Sequence, residues 1–123
     1  MSKFGKGKLI LEVKNKTNLL YVTAGSEEEA NKIAVTLVEE QLVACANILG
    51  ASTSIYRWKK KLTKETEFIL VLKTVARLVQ KSVQRIGELH SYECPGVIVI
   101  DIQDGNKEFL NWINSAVLPD FDC

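Results

Sequence analysis

The sequence contains few of the residues that hold small disulfide-linked or zinc-binding domains together. Its 123 residues include three cysteines, Cys45, Cys94 and Cys123, and a single histidine, His90. The cysteines are odd in number, widely spaced and without a C-x-x-C pair. A disulfide framework and a structural zinc site are therefore not expected.

The sequence also lacks a large charge excess and a long apolar run. A net charge of +1 provides no global attraction to nucleic acid or membranes, and no apolar run approaches the roughly 20 residues that span a bilayer. Residues 1–17 are basic, and their apolar segment is too short for a signal peptide. We expect a cytoplasmic protein in which this segment is a disordered tail or adds a short edge strand through Leu9, Ile10, Leu11 and Val13.

The remaining residues, 18–123, predict a single domain that begins with a strand and a helix. NLLYVTA, residues 18–24, is typical of a strand. Ser26 begins a capping box in which Glu29 reaches back to the N-cap residue. Apolar residues then recur at helical spacing, which predicts a first helix that ends near Gln41.

The second half of the domain predicts two more strands in a long hairpin, then a helix and a strand. Residues 43–58 are extended with a bulge or bend at Gly50, residues 59–65 are polar enough to hold a turn, and residues 67–74 form the return strand. Thr74 is a candidate cap for the second helix, and residues 96–102 are the fourth strand. A short helix follows. The order β-α-β-β-α-β predicts an α+β, ferredoxin-like fold with helices 1 and 2 on one sheet face.

The second face of this predicted sheet is apolar as well. Val97 and Val99 alternate with Ile98 and Ile100, and the other strands show the same two-sided pattern. Monomers rarely expose apolar patches of this size, so we expect self-association through the sheet. Near the hairpin tip, Tyr56 and Trp58 share one side of the strand; they pack either on a neighbouring subunit or locally with Phe68.

Several short segments resemble the CutA family, the divalent-cation tolerance proteins. They are LVACAN at 42–47, TSIYRW at 53–58, LKT at 72–74, LHSYE at 89–93, and GN at 105–106 with Trp112. The resemblance implies a ferredoxin-like homotrimer similar to PII-type signalling trimers, with hairpin strands paired across subunits. It also implies an association with copper and other divalent metals, and no agreed catalytic reaction.

The copper ligands of some bacterial family members are only partly present. Those relatives carry a cysteine late in the first strand and a His-His pair; the matching positions here are Val22 and Leu89-His90. The family's W-x-G-K at the hairpin tip reads WKKK, residues 58–61. The resemblance therefore leaves His90 as the one matching metal ligand.

The segment LHSYECP, residues 89–95, contains the candidate chemistry. His90 either caps the second helix or lies in an interface, or it binds a metal, or it acts in catalysis. A His90–Cys94 chelate is unfavourable because Pro95 extends the chain before it. Cys45 is typical of a core residue. A polar pocket between subunits is predicted from Lys73, His90, Tyr92, Glu93 and Cys45.

The sequence thus predicts a trimeric divalent-cation tolerance protein that is not an enzyme and requires no cofactor, with copper or another divalent ion bound weakly. The alternative is a PII-like trimer that binds a small molecule in clefts between subunits. A catalytic role lacks an activated nucleophile, an oxyanion site and a cofactor motif. RNA binding lacks the paired aromatic residues of an RNA-recognition strand in residues 67–72.

Overall fold

The computed structural model describes residues 15–120. The predicted edge strand at Leu9, Ile10, Leu11 and Val13, and Cys123, lie outside the described residues. The elements are β1 (Thr17–Ala24), α1 (Glu27–Glu39), β2 (Cys45–Trp58), β3 (Lys61–Val75), a 3-10 turn (Ala76–Leu78), α2 (Val79–Leu89), β4 (Val97–Asp101) and α3 (Lys107–Ala116). The first strand therefore begins one residue before the predicted start of the domain.

The four strands form one antiparallel sheet in the order β2-β3-β1-β4. This order, with α1 between β1 and β2 and α2 between β3 and β4, is the predicted ferredoxin-like arrangement. Helices α1 and α2 share one core with the same sheet face, as right-handed crossovers require. The predicted fold class and helix placement are confirmed.

The N-terminus of α1 is capped as the sequence predicts, with one difference. Ser26 Oγ accepts a hydrogen bond from the backbone N–H of Glu29 at 3.1 Å. The Glu29 carboxylate, however, accepts from the N–H of Gly25 at 3.1 Å rather than from that of Ser26. The helix ends at Glu39, before the predicted Gln41, whose φ of 59° places it in the left-handed region.

The hairpin of β2 and β3 is longer than predicted. The turn lies within residues 59–65 as predicted, but it is Lys59-Lys60 alone, and β3 begins at Lys61 rather than at the predicted Glu67. The threonines and apolar residue of the segment favour strand despite its charge. Both turn lysines have positive φ, 49° and 66°, as a tight two-residue hairpin turn requires. The predicted bulge is confirmed by a register shift between Leu49 and Ser52.

Thr74 does not cap the second helix. Its Oγ1 donates instead to the carbonyl of Leu42 at 2.6 Å, and the side chain is fully buried. The helical segment begins after Val75 without a side-chain cap. The physical reason is position: Thr74 is still part of β3 with its side chain buried in the core, and the N-cap position falls one residue later, on Val75.

The helix-covered sheet face holds the main core, and the opposite face is only partly covered. Leu20, Leu70 and Leu72 are fully buried beneath α1 and α2. At one end of the opposite face, α3 packs over Val75 and Ile102. The middle of that face carries no other element of residues 15–120. We call this region the open face.

Candidate functional site

The open face consists of two cross-strand rows whose side chains lie directly opposite one another. The first row runs Cys45, Lys73, Leu19, Ile100 across β2, β3, β1 and β4, and the second runs Asn47, Val71, Tyr21, Ile98. Ile98 and Ile100 are 56% and 46% exposed. The uncovered surface is thus mainly apolar, with polar groups concentrated at its β2 side.

Lys73 is the one cation in these rows. Its Nζ donates to the side-chain oxygen of Asn47 at 2.5 Å, and Cys45 is its direct partner on β2. Within residues 15–120 no carboxylate forms an ion pair with this ammonium. The half-buried lysine therefore leaves its charge available to an anionic group that approaches the open face.

His90 lies at the C-terminal end of α2 and is 8% exposed. Its Nδ1 accepts a hydrogen bond from the N–H of Tyr92 at 3.1 Å, and its Nε2 lies 2.7 Å from the carbonyl oxygen of Thr23. Because a carbonyl only accepts, Nε2 must be the protonated nitrogen and the ring a neutral tautomer. Both nitrogens are thus occupied by backbone groups, and a metal would have to displace one of them.

Tyr92 connects this histidine to a buried carboxylate. Its ring lies 4.6 Å from that of His90, and its hydroxyl donates to Glu67 Oε2 at 3.0 Å. Glu67 is 7% exposed and shares the strand face of Ile69, at the corner of the open face. Burial first, and then the hydrogen bond to Glu67, raise the pKa of Tyr92 to about 12.

Glu29 closes this cluster from the side of α1. Its carboxylate accepts from the N–H of Ser91 at 2.7 Å, in addition to that of Gly25. Desolvation by burial is the largest single influence on the pKa of Glu29 and raises it. The hydrogen bond from the Ser91 side chain and those from the backbone of Gly25 and Ser91 together outweigh it, so the pKa of Glu29 is lowered. The loop after α2 is therefore fixed to the start of α1 and to the end of β1.

The structure divides the predicted pocket residues into two groups. Cys45 and Lys73 are adjacent, and His90 and Tyr92 are adjacent. Lys73 pairs with Leu19 on β1, whereas His90 binds Thr23, four residues or about 13 Å further along that strand. Glu93 and Cys94 are exposed, and no hydrogen bond within residues 15–120 joins either side chain to these groups.

Sequence reasoning missed three contributors: Asn47, Glu29 as a partner of the loop, and Glu67. Glu67 had a detectable signal, because strand alternation places it on the same face as Ile69 and Val71. A carboxylate on an apolar face needs a partner, and Tyr92 is that partner here. The backbone acceptors of His90 had no signal in side-chain identities.

No group of three His, Cys, Asp or Glu side chains within residues 15–120 is arranged to hold a metal ion. A cleft of about 600 Å³ lies elsewhere, between β1, β4 and α3. Its charges are paired internally: Lys16 with Asp101 at 2.8 Å and Lys107 with Asp104 at 2.5 Å. None of the predicted site residues lines it.

Tyr56 and Trp58 lie on the side of the hairpin that continues the open face. Strand pairing places Tyr56 opposite Thr63 and Trp58 opposite Lys61, and the indole is 62% exposed. Phe68 packs against the main core on the other side of the sheet, beneath Gly50. The alternative of a local cluster of these aromatics with Phe68 is therefore not the arrangement that forms.

No helix within residues 15–120 has the length and apolar character needed to cross a membrane.

A family model described as CutA1 divalent ion tolerance protein matches residues 18–116. The divalent-cation tolerance protein CutA of Thermus thermophilus is 40% identical over 95 residues, which cover 77% of this chain and 92% of that protein. Its counterpart from Archaeoglobus fulgidus is 39% identical over 100 residues, which cover 81% and 97%.

Solved structures give the same result. CutA1 from Ehrlichia chaffeensis superimposes with a TM-score of 0.81 at 37% identity, covering 84% of this chain and 96% of that one. CutA1 from Oryza sativa gives a TM-score of 0.85 at 28% identity, covering 89% and 100%. Relatives differ in compartment, since one from Arabidopsis thaliana is named chloroplastic and the Archaeoglobus fulgidus structure is titled periplasmic. On sequence and structure together, this chain belongs to the CutA1 divalent ion tolerance protein family.

Proposed function

We propose that the protein acts as a homotrimer in divalent-cation tolerance, as a cytoplasmic binding protein rather than an enzyme. The observation that carries the assembly is the open face, whose Ile98 and Ile100 remain about half exposed in the single chain. Burial of such a surface contributes about 25 cal/mol per Å². The number of subunits follows from the family resemblance.

Light scattering after size exclusion tests the assembly. We expect about three times the chain mass of 13.8 kDa, independent of protein concentration. A monomer at all concentrations would contradict the proposal, because it would leave the apolar rows of the open face exposed to water.

We further propose that copper or another divalent ion binds weakly and is not part of the folded core. This is supported by the two backbone partners of His90, which compete with any metal for its ring nitrogens. Copper affinity should fall in His90→Ala and remain unchanged in Cys94→Ser, a matched control four residues away on an exposed thiol. Zinc should be lost during purification, and chelator should leave the melting temperature unchanged. An ion that survives dialysis against chelator would contradict this.

A second candidate is a PII-like trimer that binds a small anionic molecule between subunits. The observation in its favour is Lys73, whose ammonium contacts only the amide of Asn47 within the described residues. If assembly buries the open face, this charge needs an anionic partner, either Glu93 of a neighbouring copy or a bound ligand. Thermal shift with phosphorylated and carboxylated metabolites, in the wild type and in Lys73→Met, would separate this role from metal tolerance.

A further inference from the structure

The outer half of the hairpin has two chemically different faces. Pairing places Ser54, Tyr56 and Trp58 with Glu65, Thr63 and Lys61 on one side, which continues the open face. We call this outer half of the hairpin, residues 52–67, the ribbon, and its other side the ribbon's outer face. The three facing pairs of the outer face are Thr53 with Thr66, Ile55 with Lys64 and Arg57 with Leu62.

The outer face combines exposed aliphatic and cationic side chains. Ile55 is 59% exposed and Leu62 is 72% exposed. Lys64 lies directly across from Ile55, and Arg57 lies directly across from Leu62, so every large apolar group on this face has a cation beside it. The face carries no carboxylate, and within residues 15–120 neither Arg57 nor Lys64 takes part in an ion pair.

The turn increases this charge. Lys59 and Lys60 close the hairpin with both residues in the left-handed region, a conformation that favours glycine or asparagine. With Arg57, Lys61 and Lys64, the ribbon end holds five cations. The acidic residues of the ribbon, Glu65 and Glu67, both project from the opposite side. Although the net charge of the whole chain is only +1, positive charge is concentrated at this end of the hairpin.

We infer that the ribbon's outer face docks on an anionic lipid surface. Lysine and arginine near such a surface are attracted by its negative potential, and adjacent aliphatic side chains insert at the boundary of the headgroups. A single-stranded nucleic acid would also be attracted by the charge, but it binds by stacking on aromatic rings, and this face presents none. Tyr56 and Trp58 lie on the opposite side.

Self-association leaves this surface available. The inner side of the ribbon is continuous with the apolar open face, which is the region proposed to meet other copies, whereas the outer face projects the other way. Several copies in one assembly would present several ribbons, and multivalent contact raises the apparent affinity for a surface.

Co-sedimentation with vesicles tests the inference on the full-length protein. Binding to vesicles of phosphatidylcholine mixed with phosphatidylserine should exceed binding to phosphatidylcholine alone and should decrease with added salt. The double variant Arg57→Gln, Lys64→Gln should lower the partition coefficient about twenty-five-fold, since each basic residue near the surface contributes about fivefold. The matched control Lys32→Gln, Lys81→Gln removes the same charge from exposed positions on α1 and α2 and should bind like the wild type.

A second variant separates lipid from other polyanions. Ile55→Thr, Leu62→Thr keeps every charge and the strand preference, yet it should weaken vesicle binding because the inserted apolar groups are lost. Circular dichroism and light scattering confirm that each variant folds and assembles. The inference is overturned if the two vesicle types bind equally, if the arginine and lysine variant matches its control, or if the ribbon variants lose affinity for a single-stranded RNA oligonucleotide but not for the vesicles.

Discussion

Both faces of the sheet are mainly apolar, but their surroundings are very different. On the helix side, Leu20, Leu70 and Leu72 are fully buried by α1 and α2. The residues adjacent to these on the same strands, Leu19, Tyr21 and Val71, point to the open face and are only half-buried. Within residues 15–120 the chain thus covers one apolar face with its own helices and leaves the centre of the other uncovered.

The ends of the open face show what such covering requires. At one end α3 covers Val75 and Ile102, and at the other the loop after α2 brings Tyr92 over Glu67. Both covers are short and cannot extend to the central rows. A four-stranded sheet with two crossover helices needs a second layer on this side, and within residues 15–120 no element covers the central rows.

The largest effect is expected from a charge placed in the centre of the open face. Ile98→Lys should abolish assembly and yield a species of about 13.8 kDa, because an unpaired buried ammonium costs several kcal/mol. The single chain should still fold, since Ile98 is 56% exposed in it. Light scattering and circular dichroism measure the two properties separately.

Val35→Lys is the matched control for that substitution. Val35 is 52% exposed on the outer surface of α1, so the same charge replaces an apolar residue of similar exposure. The control should keep the mass of the wild type. If both variants retain that mass, the open face is not the assembly surface, and the difference between the two faces has another explanation.

Trp58→Ala asks whether the open face extends into the hairpin. Truncation of an indole buried at an interface commonly costs about 2 kcal/mol or more, so assembly should weaken more than the fold of the single chain. Leu62→Ala, on the opposite side of the same ribbon, removes an even more exposed apolar side chain and should leave the assembly unchanged. An assembly of Trp58→Ala with unchanged affinity and heat stability would restrict the interface to the body of the sheet.

Much of the fold could be predicted because it depends on periodicity. The spacing of Ala30, Ile33 and Leu37 defines the buried side of α1, and strand alternation reveals both apolar sheet faces. The length of the hairpin could not be predicted, because the lysines around the turn suggested a loop. Thr74 was assigned to the helix because the residue at which a strand ends is uncertain from sequence; the strand continues through Val75, and the Thr74 hydroxyl donates to the carbonyl of Leu42.

The candidate site was harder to predict for a geometric reason. The residue types His90, Tyr92 and Lys73 were identified, but whether they meet depends on register, and β1 separates the two groups by four residues. The main partners of His90 are backbone atoms, which are common to every residue and therefore carry no sequence signal. Only the structure reveals that its ring nitrogens are both engaged.

The smallest effect concerns the corner where the chain covers its own open face. The pKa of Tyr92 is raised from its ordinary 10.0 to about 12 by burial and by the carboxylate of Glu67. Between these values the unfolded chain releases a proton that the folded chain retains, so the free energy of unfolding should fall as pH rises from about 10 to 12. In Tyr92→Phe this part of the slope should disappear, and in Glu67→Gln the pKa of Tyr92 should return towards 10.0, because the negative neighbour is gone. Urea unfolding across this range and phenolate absorbance measure both. A slope in Tyr92→Phe equal to that of the wild type would mean that the loop does not cover Glu67 in solution, and that this corner is as open as the rest of the face.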